Sequence, residues 1–356
     1  MTPMRDLPPI DHVDQITPEW LTEALAVDGA KVLERTATPV GTGQVADTFR
    51  LELTWEPPEA GPPTVVAKVT AVDDASRNAA ALTRTYEIEA AFYRDLADTL
   101  PVRTPRCYHA HHDPSTNAYV ILMDDLAPAV QGDQLAGCSV AEAEVAIDQL
   151  PKLHAPRWGD PTLTEIPWLH RHDEAGIDGA AALLQMLGDS FLERYEATLD
   201  PDVTELVPRL MPRIGNHFHD RPGPWTVVHS DYRLDNLLFG PDGEVTVVDW
   251  QTAAHGPGVA DVSYFIGAGL PTEVRRAHER DLVERYRVGM AAEGVELDPD
   301  GLWEDYRRYT FSGLIMAIGA SMIVERTDRG DQMFMAMANG HGRHALDLDA
   351  EALIPG

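Results

Sequence analysis

Trp225-Thr-Val-Val-His229-Ser230-Asp231-Tyr232-Arg233-Leu234-Asp235-Asn236-Leu-Leu-Phe-Gly240, continued by Glu244-Val-Thr-Val-Val-Asp249-Trp250, is the stretch on which the reading of this chain turns. The β-branched runs before His229 and before Asp249 predict two short strands, with Pro241-Asp242-Gly243 turning the chain between them. A loop between the strands carries Asp231 and Asn236, and the second strand delivers Asp249, so three oxygen-bearing side chains can converge. Singly, each is an ordinary turn former or helix cap. Their joint spacing is less ordinary.

Phosphoryl transfer requires such a set. One carboxylate orients the attacking hydroxyl and accepts its proton, while an amide oxygen and a second carboxylate are hard ligands suited to Mg²⁺. That chemistry makes a separate demand upstream, for a strand-borne lysine at the nucleotide phosphates and a helix-borne glutamate to hold it. Val65-Val66-Ala67-Lys68-Val69 meets the first demand, and Lys68 is the only lysine between Lys31 and Lys152. A long helix is predicted from about Ser76 to Leu96, on which Leu82, Tyr86, Glu89, Tyr93 and Leu96 share one face. A carboxylate on an apolar stripe is costly unless paired, which makes Lys68 the natural partner of Glu89. A local pair with Arg94 is the alternative, and Glu87, on another face, is the weaker candidate.

Working outward, Thr48 to Trp55 alternates, Thr64 to Val69 is β-branched and Ala118 to Met123 is a short buried run, so the first third reads as strands around the one helix. Gly41-Thr42-Gly43, between the first two strands, suits a loop whose amides approach phosphates, with Gly41 and Gly43 permitting close backbone approach. Leu122-Met123-Asp124-Asp125-Leu126 ends the last of these strands and is the expected hinge, where Asp124 and Leu126 meet the nucleotide base. Beyond Leu126 the pattern is helical apart from the quoted stretch. The expected organisation is therefore α+β, with a small β-rich N-lobe over residues 1–126 that binds the nucleotide phosphates. A larger α-rich C-lobe over 127–356 carries the catalytic loop and the acceptor-binding helices.

Composition narrows the class. The chain has 356 residues, 44% of them hydrophobic and 24% charged, as in an ordinary folded protein. With 28 Lys and Arg against 58 Asp and Glu, the net charge of −30 repels phosphate backbones and argues against nucleic-acid binding. Two cysteines make no disulfide framework, the longest apolar run (Phe311 to Val324) is too short to span a bilayer, and the N-terminal residues lack a signal-like apolar run. A cytoplasmic location is expected.

On these residues the chain resembles the aminoglycoside-phosphotransferase/choline-kinase superfamily, and most closely its ecdysteroid-kinase-like (CHK kinase-like) branch and bacterial relatives. The resemblance runs through GTGQVADTFR (41–50), VVAKV (65–69), EAAFYRDL (89–96), ILMDDL (121–126), KLHAPRW (152–158), HSDYRLDNLLF (229–239), VVDWQ (248–251) and GPGVADVSYFI (256–266). It implies a protein-kinase-like two-lobe fold and an ATP- and Mg²⁺-dependent kinase acting on the hydroxyl of a small-molecule acceptor. By residue, it implies Asp231 as catalytic base, Asn236 and Asp249 as Mg²⁺ ligands, Lys68 with Glu89 at the phosphates, and Asp261 as a brace beneath the catalytic loop. Ser230 stands where these kinases usually have glycine, and Pro151 interrupts the helix before His154. The acceptor is expected to be a metabolite, a steroid- or lipid-like alcohol, or an antibiotic, bound among residues 161–213 and the helices after Val274.

Other features read as bland. His109-Ala-His111-His112-Asp113 begins like a binuclear zinc-hydrolase signature, but Pro114 breaks it, and surface histidines at a hairpin are the expectation. His154 reads as a hydrogen-bonded core histidine, His341 and His344 as solvated, and the methionines from Met316 to Met337 as core packing. A catalytically silent nucleotide-binding module (a pseudokinase) is the rival to the enzyme, and retention of Lys68, Asp231, Asn236 and Asp249 argues against it.

Overall fold

The computed structural model describes residues 7–41, 45–169, 174–324 and 326–355. They form two compact units, Met1–Ala129 with Thr246–Thr252, and Val130–Val245 with Ala253–Gly356. The first unit thus extends to Ala129 and takes in the short segment Thr246–Thr252.

The first unit is built on a five-stranded antiparallel sheet of order β1-β2-β3-β5-β4, from β1 (Lys31–Pro39), β2 (Ala46–Glu56), β3 (Thr64–Thr70), β4 (Cys107–Asp113) and β5 (Ala118–Asp124). Period-two alternation gives the sheet two faces. Val65, Ala67, Val69, Val120 and Leu122 pack with Leu7, Ile10, Val13, Ile16 and with Trp20 and Leu21 of helix α1 (Pro18–Leu25). Thr17 caps that helix by accepting from the Trp20 amide at 3.2 Å. The intervening residues of β3 include Lys68, which meets Glu89 of α3 (Thr85–Ala91).

The single helix expected from 76 to 96 is interrupted. α2 (Asp74–Thr83) ends at Arg84, which sits in the left-handed region at φ 58°, and α3 is followed by a wide π-type turn over Phe92–Leu96. Arg84 is held there by Glu87 at 2.8 and 2.9 Å, so Glu87 has its own partner. The left-handed residue resets the helical phase. Leu82 is therefore 77% exposed, while Tyr86, Glu89, Tyr93 and Leu96 are buried as expected. Residues 246–252 join this unit because the Trp250 ring stacks on Phe92 at 3.9 Å, the Val247 amide donates to the Arg103 carbonyl, and Asp249 pairs with Lys68.

The second unit is mainly helical: α4 (Val140–Ile147), α5 (Gln149–His154), α6 (Glu174–Tyr195), α7 (Pro201–Leu210), α8 (Ile214–His219), α9 (Val259–Gly269), α10 (Thr272–Ala292), α11 (Pro299–Arg308), α12 (Ser312–Ile323) and α13 (Asp328–Asp347). Short strands frame the loop that carries Asp231 and Asn236. β6 (Val130–Gln131) pairs with β8 (Leu237–Phe239), and β7 (Thr226–Val228) with β10 (Ala254–Gly256), while β9 (Val245–Val247) carries the chain into the first unit. Pro151 falls in the first turn of α5, where no intrahelical donor is required of it, and the preceding helix has already ended at Ile147. One large core joins α6, α7, α9, α12 and α13 and contains Met333, Met335 and Met337, with Met316 and Met322 packed against it.

His341 and His344 are buried in this core rather than solvated, because positions 334, 337, 338, 341 and 345 make the inward stripe of α13. A Cβ on Gly313 would lie 2.0 Å from the His341 ring, so glycine there is what lets the helices close over it. Burial pushes His341 and His217 down to about 3, so both fold neutral. Their unfolded-state value is the ordinary ~6.5, so stability is complete above that pH and is lost as pH falls toward 3. The expected loss at pH 5 is about 2 kcal/mol for each of them. Urea midpoints at pH 7.5 and 5 read it directly, and an unchanged midpoint would refute it.

Candidate active site

In the first unit, β3 and α3 present Lys68 and Glu89 to each other, as the spacing predicts. The Lys68 Nζ lies 2.7 and 2.8 Å from the two Glu89 oxygens and 2.8 Å from Asp249 Oδ1. Tyr119 donates its hydroxyl to Glu89 Oε2 at 2.5 Å, fixing the carboxylate from β5. Burial opposes the charge on Lys68, but Asp249 and then Glu89 outweigh it, and the ammonium is held above the ordinary lysine range. Arg94, the alternative partner of Glu89, instead forks onto Asp95. Asp249 adopts φ 67°, a conformation unusual for a residue with a side chain and common where a functional group is being aimed; Gln251 donates to its Oδ2 at 3.2 Å.

The expected phosphate loop lies partly outside the described residues. Gly41 has φ +78° with open space where a Cβ would stand, whereas Gly43 lies outside the described residues. At the expected hinge, the Asp124 amide is taken by the Arg106 carbonyl and its Oδ1 by the Tyr108 hydroxyl. Asp125 holds Arg50 at 2.7 and 3.0 Å. The Leu126 carbonyl accepts from the Ala129 amide, and among the described residues its own N–H has no partner.

In the second unit the loop between β7 and β8 is braced from α9. Asp261 accepts from the amides of His229 (2.7 Å) and Ser230 (2.9 Å), and His154 lies 3.3 Å from the same carboxylate while its other nitrogen meets the Tyr286 hydroxyl at 3.0 Å. His154 is thus the hydrogen-bonded core histidine that its position in sequence suggests. Ser230 is held at φ 65°, which explains the glycine usual at this position. Ser230→Gly is expected to raise stability by about 1 kcal/mol with activity kept, since only the backbone penalty is removed; a lowered urea midpoint would show that the hydroxyl matters instead.

Asp231 receives three donors on its carboxylate. Tyr264 donates to Oδ1 at 2.7 Å, Asn236 Nδ2 to Oδ2 at 3.0 Å, and Arg233 Nε lies 3.1 to 3.2 Å from both oxygens. Arg233 also reaches Asp235 through Nη1 at 2.5 Å. Gln134 buttresses the loop from outside, its amide donating to Asp235 and its side chain bridging Leu234 N and the Ala268 carbonyl. Arg233, Tyr264 and Gln134 were missed as site residues in the sequence. Tyr264 could have been found, since it stands three residues after Asp261 on one helix; nothing in the sequence marks Gln134.

The donor chemistry suits Mg²⁺. Asn236 donates through Nδ2 to both the Asp231 carbonyl and carboxylate, so its amide oxygen is the atom with the chemistry of a hard-metal donor, and the carboxylate of Asp249 is of the same hard-oxygen type. The zinc alternative finds no support. His109 is buried edge-on to Trp20 and pushed down to about 4 by burial, and His112 meets Asn117 Oδ1 at 2.9 Å. Among the described residues no group of three His, Cys, Asp or Glu is placed to hold a metal, and no helix is long and apolar enough to cross a membrane.

The structure is similar to choline kinase from Cryptosporidium parvum, with a TM-score of 0.54 at 10% identity over 90% of each chain. It is similar too to spectinomycin phosphotransferase APH(9)-Ia, solved with ADP and spectinomycin, with a TM-score of 0.53 at 12% identity over 97% of this chain and 100% of that one. APH(2")-IIia, solved with GDP and kanamycin, gives 0.54 at 12% identity over 92% and 97%. At these identities the likeness shows the fold, which is protein-kinase-like and α+β. No curated protein matches the sequence. The model of the phosphotransferase enzyme family, however, matches residues 36–296, and it is to this family that the chain belongs.

Proposed function

We propose that this phosphotransferase is an ATP- and Mg²⁺-dependent kinase that transfers the γ-phosphoryl group to a hydroxyl of a small molecule. The observation that carries the reading is the Lys68 ammonium held between Glu89 and Asp249, residues 21 and 181 positions away in sequence. A buried lysine so arranged is a fixed positive charge for phosphate oxygens. Solved structures of the same fold, named for choline kinase and for APH enzymes crystallised with ADP or GDP, support a nucleotide and a small acceptor.

In this reading Lys68, oriented by Glu89, anchors the phosphates, and Gly41 opens the loop assigned to them, whose Gly43 lies outside the described residues. The free Leu126 N–H and the backbone at Asp124 meet the base. Asn236 and Asp249 hold Mg²⁺, which when bound neutralises charge on the phosphate oxygens. Asp231 orients the acceptor hydroxyl and receives its proton on the carboxylate that Tyr264, Arg233 and Asn236 keep in place. Residues 1–126 then act as the nucleotide-binding lobe and 127–356 as the catalytic and acceptor lobe. The reading includes the ecdysteroid-kinase-like branch, a cytoplasmic location and a metabolite, steroid- or lipid-like alcohol, or antibiotic as acceptor.

The test is ADP release from Mg-ATP across a panel of hydroxylated acceptors, including choline, ethanolamine, aminoglycosides and sterols. At least one should stimulate turnover and appear as its phosphate ester, with loss of both on chelating Mg²⁺. Nucleotide binding without transfer to any acceptor would overturn the kinase in favour of a silent binding module.

A further inference from the structure

α9 holds the loop that carries Asp231 and Asn236 at both of its ends, from a single face. Asp261, Tyr264 and Ala268 follow one another at steps of three and four, so they line the same side of the helix. Asp261 takes the amides of His229 and Ser230 where the loop begins, and Tyr264 reaches Asp231 itself. Where the loop ends, Ala268 has no side chain that could reach it. Its carbonyl lies in the last turn of α9, where no intrahelical N–H is available. Gln134 closes that gap. Its Nε2 donates to the Ala268 carbonyl at 2.8 Å, its Oε1 accepts from the Leu234 amide at 3.0 Å, and its own backbone N–H donates to Asp235 Oδ1 at 3.0 Å.

Gln134 is 3% exposed, so these bonds are made away from water, where a lost partner leaves a buried polar group unsatisfied. The same segment also presses on the loop with its backbone. The Gly132 amide donates to the Leu237 carbonyl at 2.9 Å, and a Cβ on Gly132 would lie 2.6 Å from the Leu234 carbonyl oxygen, an approach that glycine alone allows. Gln131 adds a bond from Nε2 to the Asp235 carbonyl at 2.6 Å. Leu234 and Asp235 stand between Asp231 and Asn236 in the chain, so whatever fixes them fixes the spacing of the assigned base and the assigned metal donor. Resting on the kinase reading, we propose that Gln134 is a positioning residue for phosphoryl transfer, which ties the far end of this loop to α9 and so sets Asp231 and Asn236 relative to each other.

Gln134→Met keeps the length of the side chain but removes its donor and its acceptor. It should lower kcat by about 10- to 100-fold, the scale expected when reacting groups are misplaced by about 1 Å. Gly132→Ala, which forces the segment off the loop, should act in the same direction. Affinity for ADP without Mg²⁺, which calls on neither Asp231 nor Asn236, should stay within about twofold of the wild type. The control is Leu302→Ala on α11, a buried apolar deletion that lowers the urea midpoint and is expected to leave kcat unchanged. Hydrogen exchange requires no acceptor: peptides covering residues 231–237 should exchange about tenfold faster in full-length Gln134→Met, and not in Leu302→Ala. Unchanged exchange in Gln134→Met, an undiminished kcat in that variant, ADP affinity falling in step with kcat, or an equal loss of kcat in Leu302→Ala would each overturn the proposal while leaving the kinase reading intact. A wild-type chain that transfers to no acceptor would overturn that reading, and this role with it.

Discussion

Asp231→Asn is expected to slow phosphoryl transfer by about 10²- to 10⁴-fold while leaving nucleotide affinity nearly intact. The substitution preserves the volume of the side chain but removes the carboxylate that Tyr264, Arg233 and Asn236 hold in place, so the loss should fall on kcat. Asp249→Asn should behave differently. Its oxygen is bound to the Lys68 ammonium and is one of the two hard donors assigned to Mg²⁺, so Mg-nucleotide affinity should fall along with turnover. Steady-state kinetics on the acceptor found by the panel, with nucleotide titrations in the presence and absence of Mg²⁺, separates the two. Equal loss of nucleotide binding in both variants would contradict the separate roles.

The second large effect is on stability. Glu89→Ala leaves the Lys68 ammonium with one carboxylate instead of two and deprives the Tyr119 hydroxyl of its acceptor, in a site where Glu89 is 2% exposed. Removing one member of a buried pair costs about 3 kcal/mol or more, because the partner stays buried with its charge under-compensated. Arg94→Ala, which breaks only a surface pair with Asp95, should cost no more than about 1 kcal/mol. Urea unfolding of both variants distinguishes Lys68 from Arg94 as the residue that depends on Glu89. Comparable losses would show that the buried pair contributes little.

Much of this arrangement is visible before any coordinates. The strands over 46–56, 64–70 and 118–124 follow from period-two alternation, and the loop carrying Asp231 and Asn236 follows from turn residues between β-branched runs. Lys68 and Glu89 were matched by an energetic argument rather than by contact: a carboxylate on an apolar stripe needs a cation, and one lysine was available. The same stripe argument failed at Leu82, because a left-handed residue at Arg84 shifts the helical phase and leaves no trace in hydrophobic periodicity. It failed in the opposite sense at His341, a polar residue on an inward face that is tolerated only because glycines opposite it leave room for an imidazole.

Sequence by itself determined which residues can do chemistry here and at what local spacing, since a turn, a strand register and a helical face depend on neighbours within a few positions. Tertiary structure alone decided which distant groups share a proton or a charge: Asp249 on Lys68, Tyr264 and Arg233 on Asp231, and Gln134 beneath Asp235. The reason is that hydrogen bonds and ion pairs act over a few ångströms regardless of chain separation. Their partners are chosen by how the packed elements close, and no local pattern records that choice.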